Sequence, residues 1–345
     1  MALASDEVRE PLERFVAGAL GVPSCELTKV ARLAGGTVQD NWILEARMPD
    51  QSRHRVVLRT GRVVGVKDSL PAEQEYAVLR AAANAGVCVP RPVAVCSDPA
   101  VIGRPFFLMD FVEGESRPWK LQRMPAVMAA GDEILEWVGV QLGRLQAIVP
   151  DRQALPFLRP APRDAAREAI AEMRAYLDRH DHAHPAIEFA LRWLERHAPP
   201  PGPIVLCHGD FRIGNVIIDH CRPVALLDWE LARWGDPHED LAWACMRFFR
   251  FSRPDLEGGG LGARSALLRG WRATTGRAVD PWLMRYWDVF SNTRWAVVSL
   301  QQVARHVVGG EDSLELALVG LGTAEMELEA LALIERACAG MPGGR

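Results

Sequence analysis

The feature that most constrains the fold is a change in the pattern of apolar residues about one third of the way along the chain. Before residue 113, short apolar runs alternate with Gly, Asp and Pro, a pattern typical of β-strands. After residue 113, longer segments carry apolar residues at helical spacing. With 345 residues, of which 49% are hydrophobic, each part has enough apolar side chains for a core. The sequence therefore predicts two parts, residues 1–113 and 114–345, the second mainly helical.

The first part is interpreted as three strands, a helix and two further strands, preceded by a short amphipathic helix over residues 6–20. The helix is predicted to begin after Pro71 and to end before Gly86, because Pro is favoured in a first helical turn and Gly at a helix end. The five predicted strands cover residues 27–33, 42–46, 55–58, 93–96 and 105–111. This alternation indicates a sheet with a helix packed against it.

The second part is predicted to begin with three helices and then to contain short strands around a polar loop. The helices are expected at about 125–149, 162–180 and 184–197, and the strands at 204–206, 216–218 and 224–227. The remainder has helical character, interrupted by a run of three glycines at 258–260.

Composition excludes several classes of protein. A net charge of −4 without a basic cluster argues against nucleic-acid binding, and the lack of a long uninterrupted apolar stretch argues against a membrane span. The seven cysteines include no C-x-x-C pair, which argues against structural zinc. The acidic start of the chain does not resemble a secretory signal, and we expect reduced thiols in a cytoplasmic protein.

The most informative segment is HGDFRIGN, residues 208–215, which forms a polar loop between two apolar runs. It contains Asp210 and Asn215, and the next apolar run leads to Asp228. Two short strands joined by a turn would bring Asp228 back beside Asn215. An ordinary turn is the alternative interpretation, because Asp, Gly and Asn are all turn residues.

These residue types suit phosphoryl transfer. Mg²⁺ takes oxygen ligands and usually shares them among carboxylate, phosphate and water, which predicts Asn215 and Asp228 as metal ligands. A separate carboxylate must orient the attacking hydroxyl and accept its proton, a role that suits Asp210. Arg212 would place a fixed positive charge near the transferred phosphoryl group. Asp210 and Arg212 are therefore the predicted catalytic residues.

The order H-G-D, four residues, N, a strand and L-D-W-E resembles the signature of the aminoglycoside phosphotransferase-like family, which has a protein-kinase-like fold. The resemblance extends over about residues 27–250. It implies an α+β, bilobal fold with a small antiparallel-sheet N-terminal lobe and a larger, mainly helical C-terminal lobe. It also implies that the chain is an enzyme, a small-molecule kinase that uses ATP and Mg²⁺.

The resemblance further implies which residues bind the nucleotide. The glycine pair belongs to a segment similar to the family's hairpin over the phosphates, and Arg59 stands where a basic residue holds the phosphates and pairs with Glu75. The backbone of residues 110–112 would bind adenine. A simpler alternative for the glycine pair is an ordinary turn. A simpler alternative for Glu75 is a solvated charge on the helix, with Glu73 as the competing partner of Arg59. The implied cofactor-binding residues are Gly35, Gly36, Arg59, Glu75, Asp110 and Val112.

Two positions depart from the family pattern. Arg59 replaces the usual Lys, although Arg also makes bidentate phosphate contacts, and Gln146 stands where many relatives have His. Arg59, the LDWE segment and the pair Asn41-Trp42 resemble the broad bacterial phosphotransferase group and the kinase-like domain attached to some acyl-CoA dehydrogenases. They resemble the dedicated antibiotic-resistance enzymes less.

Several other residues have competing interpretations. His208 is a candidate base or metal ligand, but the resemblance implies a buried brace for the loop. Asp236 and Asp240 are expected to cap a helix and anchor the loop rather than to touch substrate. The many tryptophans after residue 190 are expected in the core, with a cation–π pocket as the alternative.

The sequence thus predicts ATP- and Mg²⁺-dependent transfer of a phosphoryl group to a hydroxyl of a small molecule. The acceptor stays open among an aminoglycoside, a choline-like amino alcohol, a sugar and a hydroxyacyl thioester. The rival hypothesis is a non-catalytic nucleotide-binding protein on the same fold, which Arg59 in place of Lys favours.

Overall fold

The computed structural model describes residues 6–33, 39–61, 69–150, 155–179, 182–307 and 313–339, together with Leu3 and Gly309. The chain divides into two units. The first comprises Met1–Gly114 with two later segments, Ile217–Asp219 and Val224–Ala232, and the second comprises the remaining residues. The predicted glycine pair, Gly35 and Gly36, lies outside the described residues.

The first unit contains an antiparallel five-stranded sheet with strand order β1-β2-β3-β5-β4. The predicted sequence of three strands, one helix and two strands is confirmed, with a short extra helix before β5. The elements are β1 (Glu26–Arg32), β2 (Gln39–Arg47), β3 (Arg53–Gly61), β4 (Pro92–Cys96), β5 (Phe106–Asp110), α1 (Asp6–Leu20), α2 (Ala72–Asn84) and α3 (Pro99–Ile102).

The sheet forms because alternate residues on its strands are apolar and face a common core. Val56 and Leu58 on β3 are fully buried and belong to the same cluster as Leu12 and Val16 on α1. Burying a side chain of this size contributes about 1.5–3 kcal/mol. This packing fixes β3, which carries Arg59.

The second unit is mainly helical, as predicted, but its first long helix is divided in two by Ala130. Two 3₁₀ turns, Ile213–Asn215 and Arg247–Arg250, supplement the helices. The helices are α4 (Pro118–Leu121), α5 (Pro125–Ala129), α6 (Gly131–Leu145), α7 (Ala165–Leu177), α8 (Pro185–Arg196), α9 (Pro237–Ala244), α10 (Arg264–Thr275), α11 (Pro281–Val307), α12 (Leu314–Leu321) and α13 (Thr323–Ala339). None of the helices in the described part of the chain is long and apolar enough to cross a membrane.

Helices α6 and α10 approach each other unusually closely at glycines. A Cβ atom added to Gly139 would lie 2.0 Å from the carbonyl oxygen of Leu267, and one added to Gly270 would lie 1.9 Å from that of Glu136. Only glycine permits such backbone contact. The pair holds the start of α10 in place.

Four short strands precede and follow the polar loop at 208–215 in the sequence. Strand β6 (Val205–Cys207) pairs with β9 (Arg233–Gly235), and β7 (Val216–Asp219) pairs with β8 (Arg222–Leu226). Strand β9 was not predicted from the sequence, because Arg-Trp-Gly, unlike the three apolar residues of β6, contains no apolar run.

Candidate active site

A buried ion-pair cluster around Arg59 occupies the end of β3 in the first unit. The Arg59 Nε donates to Glu75 on α2, with N–O distances of 2.8 and 2.9 Å to the two carboxylate oxygens. The Arg59 Nη2 contacts Asp228 Oδ1, and Glu230 Oε2 lies 3.7 Å from the same nitrogen. Arg59 and Glu75 are both buried. The guanidinium thus holds carboxylates from two separate segments of the first unit.

Among the residues that the structure describes, Arg59 is the cation that contacts the three carboxylates of this cluster. Burial alone would lower the pKa of Arg59, but the carboxylates of Glu75, Asp228 and Glu230 outweigh it and raise that pKa. Burial raises the pKa of Glu75, and the charge of Asp228 adds to this while Arg59 opposes it.

The backbone at Asp228 is strained. Its φ of 68° lies in the left-handed region, which costs a non-glycine residue about 1 kcal/mol or more. The conformation is held locally, because the N–H of Trp229 donates to Glu75 Oε1 at 3.2 Å and the carbonyl of Glu230 accepts from the N–H of Leu70 at 2.7 Å. The strain fixes the direction of the Asp228 carboxylate relative to Arg59.

The polar loop of the second unit is anchored from beneath by Asp240 on α9. The backbone N–H groups of His208 and Gly209 donate to its two carboxylate oxygens at 2.7 and 3.1 Å. Gly209 has a φ of 85°, which favours glycine. Burial raises the pKa of Asp240, although the hydrogen bonds and the nearby His208 oppose this. The predicted anchoring role of Asp240 is confirmed.

The Asp210 carboxylate is fixed by donors from three side chains of the second unit. Arg212 Nε lies 3.0 and 2.9 Å from its two oxygens, and the indole N–H of Trp243 donates to Oδ1 at 2.9 Å. Asn215 Nδ2 donates to Oδ2 at 2.9 Å and to the Asp210 carbonyl oxygen at 2.8 Å. The carboxylate is therefore held in one orientation, which positions it to accept a proton from a group in front of it.

The two predicted metal ligands each carry the kind of oxygen atom that Mg²⁺ prefers. Both N–H groups of Asn215 are used within the loop, so its Oδ1 is the atom that can face a cation. Asp228 offers a carboxylate, one oxygen of which contacts Arg59. Among the described residues, no three His, Cys, Asp or Glu side chains are grouped around one metal position. Mg²⁺ would thus take further oxygens from phosphate and water, as it usually does.

The predicted adenine contacts lie at the end of β5. The backbone N–H of Asp110 already donates to the carbonyl oxygen of Arg91 at 2.9 Å, and its side chain accepts from Arg91 and contacts His54. The N–H and the side chain of Asp110 are thus engaged within the first unit, and Val112 follows beyond the strand.

Each unit thus brings together three of the predicted site residues. Arg59, Glu75 and Asp228 share the first-unit cluster, and the second-unit loop brings together Asp210, Arg212 and Asn215. Asp110 and Val112 lie apart from both groups in the sequence, at the end of β5. His208 is buried, with its ring nitrogen 3.3 Å from the N–H of Asp210, in keeping with a brace.

Sequence reasoning missed two participants. Glu230 lies beside Arg59, and its place two residues after Asp228 in L-D-W-E was the available signal. Trp243 donates a hydrogen bond to Asp210, which lies 33 residues away in the sequence, and no local sequence pattern indicates that contact.

Other expectations about the second unit hold. Six of the eight tryptophans after residue 190 are buried, as expected for core residues, namely Trp193, Trp229, Trp234, Trp243, Trp271 and Trp287. Asp236 caps α9 in a capping box with Glu239, as expected.

Comparison with known proteins supports the same interpretation. The chain is 29% identical over 253 residues to mouse (Mus musculus) acyl-CoA dehydrogenase family member 10, a match that covers 70% of this chain and 22% of that protein. The chain thus spans about a fifth of the length of that relative. The name of that relative agrees with the resemblance of the sequence to the kinase-like domain attached to some acyl-CoA dehydrogenases.

Two solved structures share the fold. A putative aminoglycoside phosphotransferase from Ralstonia eutropha superimposes with a TM-score of 0.76 at 22% identity, covering 95% of this chain and 98% of the other. Spectinomycin phosphotransferase in complex with ADP and spectinomycin gives a TM-score of 0.62 at 12% identity, covering 89% and 94%. At these identities the likeness concerns the fold, which is the predicted kinase-like one.

The family model for the phosphotransferase enzyme family, APH, matches residues 29–277. This range contains Arg59, Glu75 and all of the loop around Asp210, and it covers well over half of the chain. Such membership supports a small-molecule kinase activity. The chain belongs to the phosphotransferase enzyme family.

Proposed function

We propose that this protein is an ATP- and Mg²⁺-dependent phosphotransferase that transfers the γ-phosphoryl group to a hydroxyl of a small molecule. The observation that carries the proposal is the Asp210 carboxylate, which Arg212, Trp243 and Asn215 hold in a single orientation. A carboxylate fixed by so many donors is preorganised to orient a hydroxyl for in-line attack.

In the proposed reaction, the acceptor hydroxyl oxygen attacks the γ-phosphorus of ATP. A new P–O bond forms to that oxygen while the bond from the γ-phosphorus to the β,γ-bridging oxygen breaks, and ADP leaves with the bonding electrons. Asp210 accepts the hydroxyl proton and later passes it to water. Arg212 lies beside Asp210 and supplies fixed positive charge at this point.

The nucleotide and metal would be held by the other predicted residues. Asn215 Oδ1 and the Asp228 carboxylate are the proposed metal ligands, and bound Mg²⁺ would neutralise phosphate charge during the transfer. Arg59, kept in place by Glu75, is the proposed phosphate-binding cation. The glycine pair, Gly35 and Gly36, and the backbone of Asp110 and Val112 complete the proposed nucleotide site.

The second candidate function is nucleotide binding without catalysis. It is favoured by the engagement of Arg59 with three carboxylates, Glu75, Asp228 and Glu230, which leaves less of its charge for a phosphate. The fixed Asp210 carboxylate speaks for catalysis, because a pure binding site has no use for an oriented proton acceptor.

The experiment compares the Asp210→Asn and Asp280→Asn variants in a screen of hydroxylated metabolites with Mg-ATP. Asp280 is an exposed carboxylate before α11 and serves as the control. We expect Asp210→Asn to lower turnover by about 10²–10⁴-fold without abolishing nucleotide binding, and Asp280→Asn to leave it unchanged. Equal turnover in Asp210→Asn and wild type would refute the catalytic role.

A thermal-shift measurement with Mg-ATP separates the two candidate functions. Stabilisation by Mg-ATP without turnover on any acceptor would favour the non-catalytic alternative. Asp228→Ala should lose the Mg²⁺-dependent part of that stabilisation, and a full shift in this variant would count against Asp228 as a ligand.

We also propose a cytoplasmic location for this bacterial-type phosphotransferase. None of the seven cysteines forms a disulfide in the structure, and Cys96, Cys207 and Cys245 are buried. Free thiols throughout a chain of this size fit a reducing compartment. Alkylation with and without prior reduction should give the same mass increase if none of them pairs in the cell.

A further inference from the structure

The second unit contains a cavity of about 250 Å³ beside the polypeptide segment that follows α9. It is lined by the 3₁₀ turn at 247–250, the start of α10 and the facing sides of α11 and α13. Its lining is mostly charged. Five arginines contribute to it, namely Arg247, Arg250, Arg264, Arg285 and Arg336.

Acidic residues neutralise only part of this charge. Asp288 receives two hydrogen bonds from Arg264, at 2.7 and 2.8 Å, and Glu329 accepts from Arg336 at 3.0 Å. The third carboxylate, Glu257, lies 3.9 Å from Arg264. Five guanidinium groups thus face three carboxylates, which leaves an excess of positive charge.

Three arginines in the lining have no carboxylate within ion-pair distance in the described part of the chain. Arg250 donates to the carbonyl oxygens of Cys245 and Pro254, so it is held in place without being neutralised. Arg247 and Arg285 make neither a hydrogen bond nor an ion pair with any residue that the structure describes. These two side chains are available to a ligand.

A buried amide adds a second, independent sign of a ligand site. Asn292 on α11 is 2% exposed and lines the cavity, and its Nδ2 donates to the carbonyl oxygen of Asp288 at 2.9 Å. Its Oδ1 is buried and has no hydrogen-bond partner among the described residues. Native proteins rarely leave such an atom unpaired, and it would accept a hydrogen bond from a hydroxyl or amine donor.

The cavity is lined by residues that follow closely in sequence on the aromatic side chains supporting the Asp210 loop. Trp243 hydrogen-bonds Asp210, and the guanidinium of Arg212 lies 5.3 Å from the ring centre of Phe249. Four residues next to these two aromatic residues in the sequence line the cavity, namely Cys245, Met246, Arg247 and Arg250. A molecule in the cavity would therefore lie within the same unit as the proposed catalytic carboxylate and next to its supports.

We propose that this cavity binds the anionic group, a carboxylate or a phosphate, of the hydroxylated small molecule that accepts the phosphoryl group. The inference rests on the proposed function and deepens it by naming the class of acceptor. Arg247 and Arg285 bind the anion, while Asn292 accepts a hydrogen bond from a hydroxyl of the same molecule. The excess positive charge disfavours an aminoglycoside or a choline-like acceptor, because both are cations.

The binding test uses three molecules that share a three-carbon hydroxylated frame and differ in charge. Titration calorimetry measures binding of glycerol, glycerate and glycerol 3-phosphate to the full chain, with choline as the cationic probe. We expect binding of glycerate or glycerol 3-phosphate and not of glycerol or choline. A preference for the carboxylate or for the phosphate identifies which anion the cavity takes.

The variant Arg247→Gln/Arg285→Gln removes the two available cations without disturbing an internal hydrogen bond. It should weaken binding of the anionic probe by about tenfold or more. Arg272→Gln is the matched control, because Arg272 is exposed on α10 and does not line the cavity. Equal anion affinity in the double variant and wild type, or no anion binding by wild type, overturns the proposal.

Turnover separates this inference from the proposed function. Anion binding that depends on Arg247 and Arg285, in a protein that phosphorylates no acidic alcohol, leaves an anion site but overturns its assignment to the acceptor. Phosphorylation of a neutral or cationic alcohol with an unchanged rate in the double variant overturns the inference while the proposed function stands.

Discussion

The anchor beneath the catalytic loop gives a prediction that can be tested without knowing the substrate. Asp240→Asn keeps the size of the side chain but replaces one oxygen by an amide nitrogen. In the wild type, the two oxygens accept from the backbone N–H groups of His208 and Gly209 at 2.7 and 3.1 Å. In the variant, one of these backbone N–H groups faces the new side-chain NH₂ group, which is also a donor.

The magnitude follows from the burial of Asp240, which is 1% exposed. Leaving one buried N–H unpaired costs about 1–3 kcal/mol, and the remaining bond becomes neutral and loses about 1 kcal/mol more. Relief from burying a charge offsets part of this loss. We therefore expect the free energy of unfolding to fall by about 2–3 kcal/mol.

Urea unfolding measures this change, and amide hydrogen exchange at Gly209 reports it locally. Asp280→Asn is the control, since Asp280 also accepts from two backbone N–H groups, at 2.7 and 3.4 Å, but is exposed. Asn is as good a helix cap as Asp, so the control should change by less than about 0.5 kcal/mol. If both variants lose the same small amount, the argument from burial is wrong.

Three further predictions concern neighbouring residues of the second unit. Trp243→Phe keeps the ring but removes the N–H donor to Asp210, and turnover should fall about tenfold with a small change in stability; a rate equal to wild type would contradict this. Gly209→Ala forces an alanine to a φ of 85° and should lower the unfolding free energy by about 1–2 kcal/mol in a urea titration, whereas no loss would show that the loop relaxes. Hydrogen bonds from Arg117 lower the pKa of Glu115 to about 2 from 4.5, so the carboxylate stabilises the fold above about pH 4.5 and loses this effect as the pH falls towards 2. Because this ion pair is partly solvated, Glu115→Gln should lose about 1 kcal/mol at pH 7, with a difference from wild type that shrinks below pH 4.5; a difference independent of pH would refute the assignment.

Most of the first unit was predictable because its signals are local. A short apolar run between turn residues located β3, and the observed strand, Arg53–Gly61, extends the predicted one by a few residues at each end. Pro71 and Gly86 marked the ends of α2, which spans Ala72–Asn84. Such signals depend only on side-chain period and on the backbone preferences of Pro and Gly.

The features that escaped prediction depend on distant parts of the chain. The division of the first long helix at Ala130 leaves no break in the apolar pattern, and the strained φ of Asp228 follows from how its neighbours are held. Likewise, the resemblance implied the pair of Arg59 and Glu75, but not the third carboxylate, Glu230. These details depend on packing between residues that are far apart in the sequence, and no short segment of a single sequence shows such packing.

The first unit is assembled from segments that lie far apart in the sequence, and this has a consequence for biosynthesis. Arg59 emerges from the ribosome early, but two of its carboxylate partners belong to the segment Val224–Ala232, which is translated more than a hundred residues later. Until then, the guanidinium has Glu75 as its partner from the nascent chain preceding Gly114. A fragment that stops at Gly114 should therefore be prone to aggregation, and the nascent unit should become resistant to protease only after residue 232 has left the exit tunnel.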